Sequence, residues 1–361
     1  MDSLLTIAST LADQLQKPTL AFLIGGMLLA ALGSRFAIPE PVYKFIVILL
    51  LLKVGLGAGM SVRDANLTEL LIPALGAAAV GVAIVLLGTL TLAKWRGVSE
   101  VDALATAGLF GAVSASTLAA GMTVLDDSGI YYEGFIGALY PFMDIAALVT
   151  AIVLAKLSLA RRAASTANST TASGGTLALG GGGRGPSLAP RSDAAQGMVK
   201  AIALDTFRSP AISALLVGLA IGTFAQPDSV YTSFYEPLFR GLLSILMLIM
   251  GMEAWARLSE LRRVAHAYIL YGLTAPLLHG LLGFGVGLAA HALTGFSAGG
   301  VVLLAVMAAS SSDISGPPTL RASLPEANAS AYVGTSTGLG TPVAILSIPL
   351  FMALAEIIIG T

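Results

Sequence analysis

The sequence predicts an all-α polytopic membrane protein, with ten transmembrane helices in a 5+5 inverted repeat and two broken helices, spans four and nine. Three observations predict it. Of 361 residues, 56% are hydrophobic and only 11% charged, with mean hydropathy +0.87, whereas a soluble chain carries about 25% charged residues. Bilayer-length apolar stretches recur along the chain. Motifs of the first half also return in the second at steady offsets.

The first sixteen residues carry Leu4, Ile7, Leu11 and Leu15 on one helical face without a basic n-region, which reads as an interfacial helix and not a signal peptide. Ten spans follow, at roughly 18–36, 42–62, 70–93, 101–125, 134–158, 209–226, 238–256, 264–293, 297–323 and 330–358. Residues 1–158 form the first five-helix repeat and 208–361 the second. Between them, 159–207 is rich in Ser, Thr, Ala and Gly and is expected to be a flexible loop. Its Gly180–Gly185 run lacks the Lys-Ser/Thr of a phosphate loop.

Lysine and arginine set the orientation. With 159–207 cytoplasmic, fifteen basic residues fall inside, against Lys17, Arg63 and Arg240 near the outside and Lys53 within span two. Both termini are then outside.

The repeat is visible residue by residue. Pro18–Gly26 aligns with Pro210–Gly218 at an offset of 192, which also carries Gly59-Met60 onto Gly251-Met252. At 201, Tyr140-Pro141 falls on Thr341-Pro342, Ser114 on Ser315 and Gly111 on Ser312. Five spans per repeat is an odd number, so the halves have opposite topology.

Span nine is interrupted by Ala309-Ser-Ser-Ser-Asp-Ile-Ser-Gly-Pro-Pro-Thr-Leu320. Pro317 and Pro318 have no N–H and cannot continue a helix, yet they suit the first turn of a new one. Ser315-Gly316 is placed to cap that turn. Span four is interrupted in the matching place by Gly108-Leu-Phe-Gly-Ala-Val-Ser-Ala-Ser-Thr117. Lipid tolerates broken backbone only where it lines a cavity. Spans four and nine run in opposite directions, so their second halves can point N-termini at one another, each with about half a positive charge and free N–H groups. Two such ends suit an anion. The carbonyl ends, the hydroxyls and Asp313 suit a small hard cation. The competing explanation at each break is close packing around small residues or a proline kink.

Other intramembrane polar residues have more than one reading. Asp144 either completes the cation site or stabilises the broken helices. Lys53 pairs with a carboxylate, meets helix carbonyls or snorkels. Glu253 faces Arg257 at i,i+4. His279, among leucines, reads as a hydrogen-bonded interior histidine, and Gly283-Phe-Gly-Val-Gly287 as a packing seam. With no cysteine and three scattered histidines, thiolate chemistry and a zinc-type cluster are excluded. No Ser/His or paired-His constellation sits within one span, so the chain is not expected to be an enzyme. No cofactor and no nucleic-acid partner are expected.

The chain resembles the cyanobacterial sodium-dependent bicarbonate transporters (SbtA-type) over nearly its whole length. The matching stretches are Pro18–Gly26, Val101–Thr106, Gly137–Asp144, Gly241–Met247 and Ala309–Arg321. The resemblance implies inward symport of bicarbonate with sodium for carbon concentration, across the plasma (inner) membrane. It also implies a homotrimer, a gate and a core domain in each subunit, an elevator-like cycle, and a PII-like regulator (SbtB-type) on the cytoplasmic face. On that reading bicarbonate meets backbone and hydroxyls at Phe110, Gly111, Ala112, Ser114, Ser116, Ser315 and Gly316. Sodium, the coupling ion, meets Asp313, Ser311, Ser312, Thr117 and Asp144. The alternatives are sodium-coupled transport of another small anion, such as a carboxylate or sulfate, and an anion channel on the same scaffold.

Overall fold

The computed structural model describes residues 18–36, 38–64, 67–172, 204, 208, 210–261, 266–313 and 315–360. The interfacial helix expected at 1–16 and most of the 159–207 loop lie outside these residues, as does the side chain of Arg257. Among the described residues every regular element is helical.

The first half holds α1 (Pro18–Ala31), α2 (Glu40–Asp64), α3 (Leu67–Leu90), α4 (Glu100–Gly111), α5 (Ala115–Asp127) and α6 (Tyr140–Ala172). The second holds α7 (Pro210–Phe224), α8 (Glu236–Leu261), α9 (His266–Thr294), α10 (Ala298–Ala309), α11 (Gly316–Ser323) and α12 (Ala329–Thr335). A π turn at Ser336–Gly340 leads from α12 into α13 (Thr341–Leu346) and α14 (Ile348–Ile358). Among the described residues seven helical stretches are long and apolar enough to cross a membrane, by length and composition. Three shorter apolar helices fall within expected spans one, six and nine. Span nine is short because its helix stops at Ala309, where the serine run begins.

Helix α6 continues to Ala172, past the point where the loop was expected to start. Leu159-Ala-Arg-Arg-Ala-Ala164 is made of strong helix formers, which carry the helix out of the apolar stretch.

Two packing units follow from where the glycines fall. Helix α1 packs on α8, and α2 on α7. A Cβ at Gly26 would overlap the Leu248 carbonyl of α8, and one at Gly251 the Leu23 carbonyl of α1. Likewise Gly59 abuts the Leu219 carbonyl of α7, and a Cβ at Gly218 would lie 2.6 Å from the Leu52 carbonyl of α2. The offset of 192 pairs Gly26 with Gly218 and Gly59 with Gly251. The same close contacts are therefore made twice with the halves exchanged. Only glycine permits such backbone approach between apolar helices. Helices α3, α4 and α6 pack together, α9 packs on α10, and α9 on α3 joins the halves. The seam expected in span eight is real at its ends, where Gly283 meets Leu304, Ala305 and Ala308 and Gly287 meets Val301. Gly285 between them has no neighbour within 4 Å.

Candidate transport site at the crossing of two broken helices

Both interruptions read from the sequence are breaks in the structure. Helix α4 starts at the Ser99 cap, whose side chain accepts from Asp102 N, and ends at Gly111. Ala112 is extended, at φ −89° and ψ 150°. Helix α5 then starts from Ser114, whose Oγ accepts from Thr117 N at 3.2 Å. Helix α10 ends at Ala309, and Ser310 is extended at φ −71° and ψ 173°. Every residue of the α4–α5 break and Ser310–Ser312 of the other are buried. The open backbone is thus enclosed by protein, as a membrane interior demands.

The breaks cross and bond to each other. Ser312 N donates to the Leu109 carbonyl at 2.8 Å. Ser114 N donates to Ser310 Oγ at 3.0 Å, and Ser310 Oγ donates to the Met307 carbonyl at 2.7 Å. Asp144, fully buried, spans both breaks. Its Oδ1 accepts from Val113 N and its Oδ2 from Ser315 Oγ, each at 3.1 Å. Of the two readings of Asp144, these bonds favour a brace for the broken helices.

Asp313 has different surroundings. It is only part-buried, and its Oδ2 accepts from Ser116 Oγ at 2.8 Å and from Tyr43 OH at 3.2 Å. Ser116 Oγ lies 2.8 Å from Ser114 Oγ. Hydroxyls from the first break and from α2 therefore converge on a carboxylate of the second. It lines a cavity of about 500 Å³ with Glu40, Tyr43, Lys44, Glu253 and Arg321, at the Lys44 end of α2.

Three local details depart from expectation. Ser315 stands at the N-cap of α11 but its side chain makes no cap bond; Gly316 N donates instead to Ser312 Oγ at 2.9 Å. The run Ser-Ser-Asp-Ile-Ser turns back far enough for a residue four positions earlier to reach the new helix. Lys53 has no carboxylate at ion-pair distance among the described residues; its ammonium lies 4.3 Å from the Phe239 ring centroid and 5.6 Å from that of Tyr231. His279 is interior, but its Nδ1 has no hydrogen-bond partner. It packs edge-on against Phe110 and Tyr271.

The remaining nominated residues separate by environment. Ser311 Oγ is held by the Ser336 carbonyl and by Thr341 Oγ1, each at 3.2 Å, and Ser336 Oγ donates to it at 3.0 Å. Ser336 belongs to the π turn, where the regular ladder is interrupted and carbonyls open. Ser312 Oγ also lies 2.9 Å from Ser315 Oγ. Thr117 Oγ1, in the first turn of α5, is buried with no hydrogen-bond partner among the described residues. The Phe110 ring meets Tyr271 at 5.1 Å between centroids and lies against Gly340 of the π turn, where an added Cβ would sit 2.7 Å from it and 3.1 Å from Ser311 Oγ. Gly111 sits against α3 and α6, where an added Cβ would lie 2.8 Å from Ala147 Cβ and 2.9 Å from the Gly81 carbonyl. Ala112 is buried beside it. Sequence reasoning missed Tyr43, Ser310, Ser336 and Thr341. Thr341 carried a signal, since it pairs with Tyr140 in the repeat, and Ser310 stood in the serine run. Tyr43 and Ser336 carried none.

No curated protein matches the chain significantly. A family model does: residues 18–356 match the Na+-dependent bicarbonate transporter superfamily. The chain belongs to that superfamily, a family of transporters and not of enzymes.

Proposed function

We propose that the protein imports bicarbonate together with sodium, by alternating access, for carbon concentration. The observation that carries the mechanism is the site itself. Two broken helices cross, and Asp313 collects hydroxyls from the first break and from α2 at the end of a cavity open to one side. Sodium is assigned to Asp313 with Thr117 Oγ1 as the free acceptor nearby in sequence to Ser116, and with Ser311, Ser312 and Asp144 shaping the surroundings. Bicarbonate is assigned to the start of α5, at Ser114 and Ser116 with the backbone of Phe110, Gly111 and Ala112, facing Ser315 and Gly316. Moving the two ions together removes most of the cost of carrying a single charge through hydrocarbon. A tenfold sodium gradient supplies about 1.4 kcal/mol per ion.

The reciprocal glycine contacts support a ten-span inverted repeat in which α1, α2, α7 and α8 form a gate unit and the remaining helices a core. In this reading the core moves against the gate, and Tyr43 marks the boundary between them. The cavity beside Lys44 and Arg321 lies on the cytoplasmic side by the charge rule, so the conformation is inward-facing. A homotrimer in the inner membrane, termini outside, and a PII-like regulator on the cytoplasmic face belong to the same proposal. Labelled bicarbonate uptake into proteoliposomes, with and without an inward sodium gradient, tests it. Uptake that ignores sodium would point to an anion channel. Uptake of acetate or sulfate in preference to bicarbonate would point to another small anion on the same scaffold.

A further inference from the structure

A second cavity lies at the other end of α2 and takes no part in the site above. Its volume is about 350 Å³, and Lys53, Ser61, Arg63, Tyr132, Asp228 and Tyr231 are among its lining residues. From Arg63 to Lys53 is ten positions along α2, about 15 Å of helix. The cavity thus reaches from the end of the helix to mid-depth.

Lys53 is 7% exposed. The rings of Phe239 and Tyr231 recover part of the hydration its ammonium has lost, but not all of it. Among the described residues no carboxylate makes an ion pair with it. Asp126 and Glu236 attract it only from beyond ion-pair distance, and Asp126 accepts from Tyr132 OH at 2.9 Å. An ammonium has three donors and no acceptor, and a guanidinium has donors only. Lys53 and the Ser61 hydroxyl therefore offer donors and positive charge to whatever enters, beside Arg63, which also donates to the Ala225 carbonyl at 3.3 Å, and among the described residues Asp228 is the one acid on the lining.

We infer that this cavity receives a small, singly charged oxyanion, bicarbonate in the first instance, with Lys53 as its counter-charge. The inference rests on the transport reading and adds to it a receiving site on the outer side, distinct from the crossing of the broken helices. Arg63 and Ser61 line the way in, and the Lys53 ammonium holds the anion at mid-depth.

The test uses the full-length protein and the variants K53M and K53R. In detergent without sodium, equilibrium binding of labelled bicarbonate is expected to weaken about tenfold in K53M, or about 1.4 kcal/mol, and to stay within threefold in K53R. In oriented proteoliposomes with sodium, the external half-saturating bicarbonate concentration should rise about tenfold in K53M. The half-saturating concentration for efflux from the cytoplasmic side should not move. K53M with wild-type binding and wild-type external half-saturation overturns the inference. So does equal weakening on both sides with a lower unfolding temperature, which marks Lys53 as structural. If the wild-type protein carries no bicarbonate with sodium, the transport reading fails by itself. Lys53-dependent binding competed by acetate would then still uphold the receiving site, and its absence would refute it.

Discussion

The most informative substitution is Asp313→Asn. It removes one charge and leaves the shape. Ser116 Oγ and Tyr43 OH both donate to the same oxygen, Oδ2. An asparagine can turn its carbonyl oxygen to that position and keep both bonds, so the fold should lose little, about 0.5 kcal/mol or less for a change without a cavity or a new orphan group. Sodium loses much more. A hydrogen-bonded or coordinating contact to an ionised group contributes about 1.5–3 kcal/mol, and about 1.4 kcal/mol is a factor of ten. Asp313 is part-exposed to the 500 Å³ cavity, where water screens it, so the lower end applies and the half-saturating sodium concentration should rise about tenfold. The assay is initial bicarbonate uptake against sodium concentration, in proteoliposomes containing equal amounts of assembled protein. An active variant with an unchanged sodium midpoint would remove Asp313 from the cation site and refute the assignment.

Asp144 should behave differently. Asp144→Ala strands the buried donor Val113 N, at about 1–3 kcal/mol, and leaves the Ser315 hydroxyl with Ser312 Oγ alone. It should lower the unfolding temperature of the purified protein sharply, while Asp144→Asn does so less, because the Ser315 hydroxyl can rotate to accept. Equal stability of Asp144→Ala and wild type would deny it the bracing role. Gly251→Val meets the Leu23 backbone and should abolish assembly in the membrane, whereas Gly285→Val, with open space around it, should be tolerated; reversed yields would contradict the packing of α1 on α8. Deleting most of 165–195 should leave sodium-driven uptake within about twofold, since a stretch of this composition is expected to bury little of the fold. Loss of uptake in correctly inserted protein would tie the segment to transport.

Much of this architecture was legible in the chain because membrane proteins write it in residue types with few alternatives. Pro317-Pro318 cannot lie inside a continuous helix, and the serine run with Asp313 cannot face lipid, so the second break was readable. The first was readable mainly through the offset that lays Ser114 on Ser315. The crossing itself was not. Nothing local links Leu109 to Ser312 or Tyr43 to Asp313, which are 203 and 270 positions apart. The capping bond of α11 was not legible for a related reason. Sequence spacing favours the residue next to the helix, but the turn of the chain brings Ser312 to Gly316 N instead. Lys53 found rings and not a carboxylate because its partners come from α8 and the turn before it.

The two breaks correspond in the repeat read from the sequence, yet they are filled unlike one another, and that difference bears on the proposed placing of the two ions. The offset of 201 lays Asp313 on Ala112 and Asp144 on Ile345, so neither carboxylate has a counterpart. The helix starts differ as well. The first turn of α5, Ala115-Ser-Thr, keeps its three N–H groups, and only that of Thr117 is capped by Ser114. The first turn of α11 is Gly316-Pro-Pro. Two of its three positions have no N–H, and the third is bonded to Ser312 Oγ. A site made of two equivalent N-termini is therefore not what these residues build. The donor-rich end at α5 suits the anion, and the donor-poor end at α11, with Asp313 beside it, suits the cation. A symmetric pair of ends would hold two like charges equally well. Under the proposed symport, unlike ends would hold one of each, side by side, and the attraction between the two ions would make each bind better when the other is present. Obligatory coupling in the proposed symport needs that mutual dependence, and two prolines and one aspartate placed at only one of the two breaks would supply it.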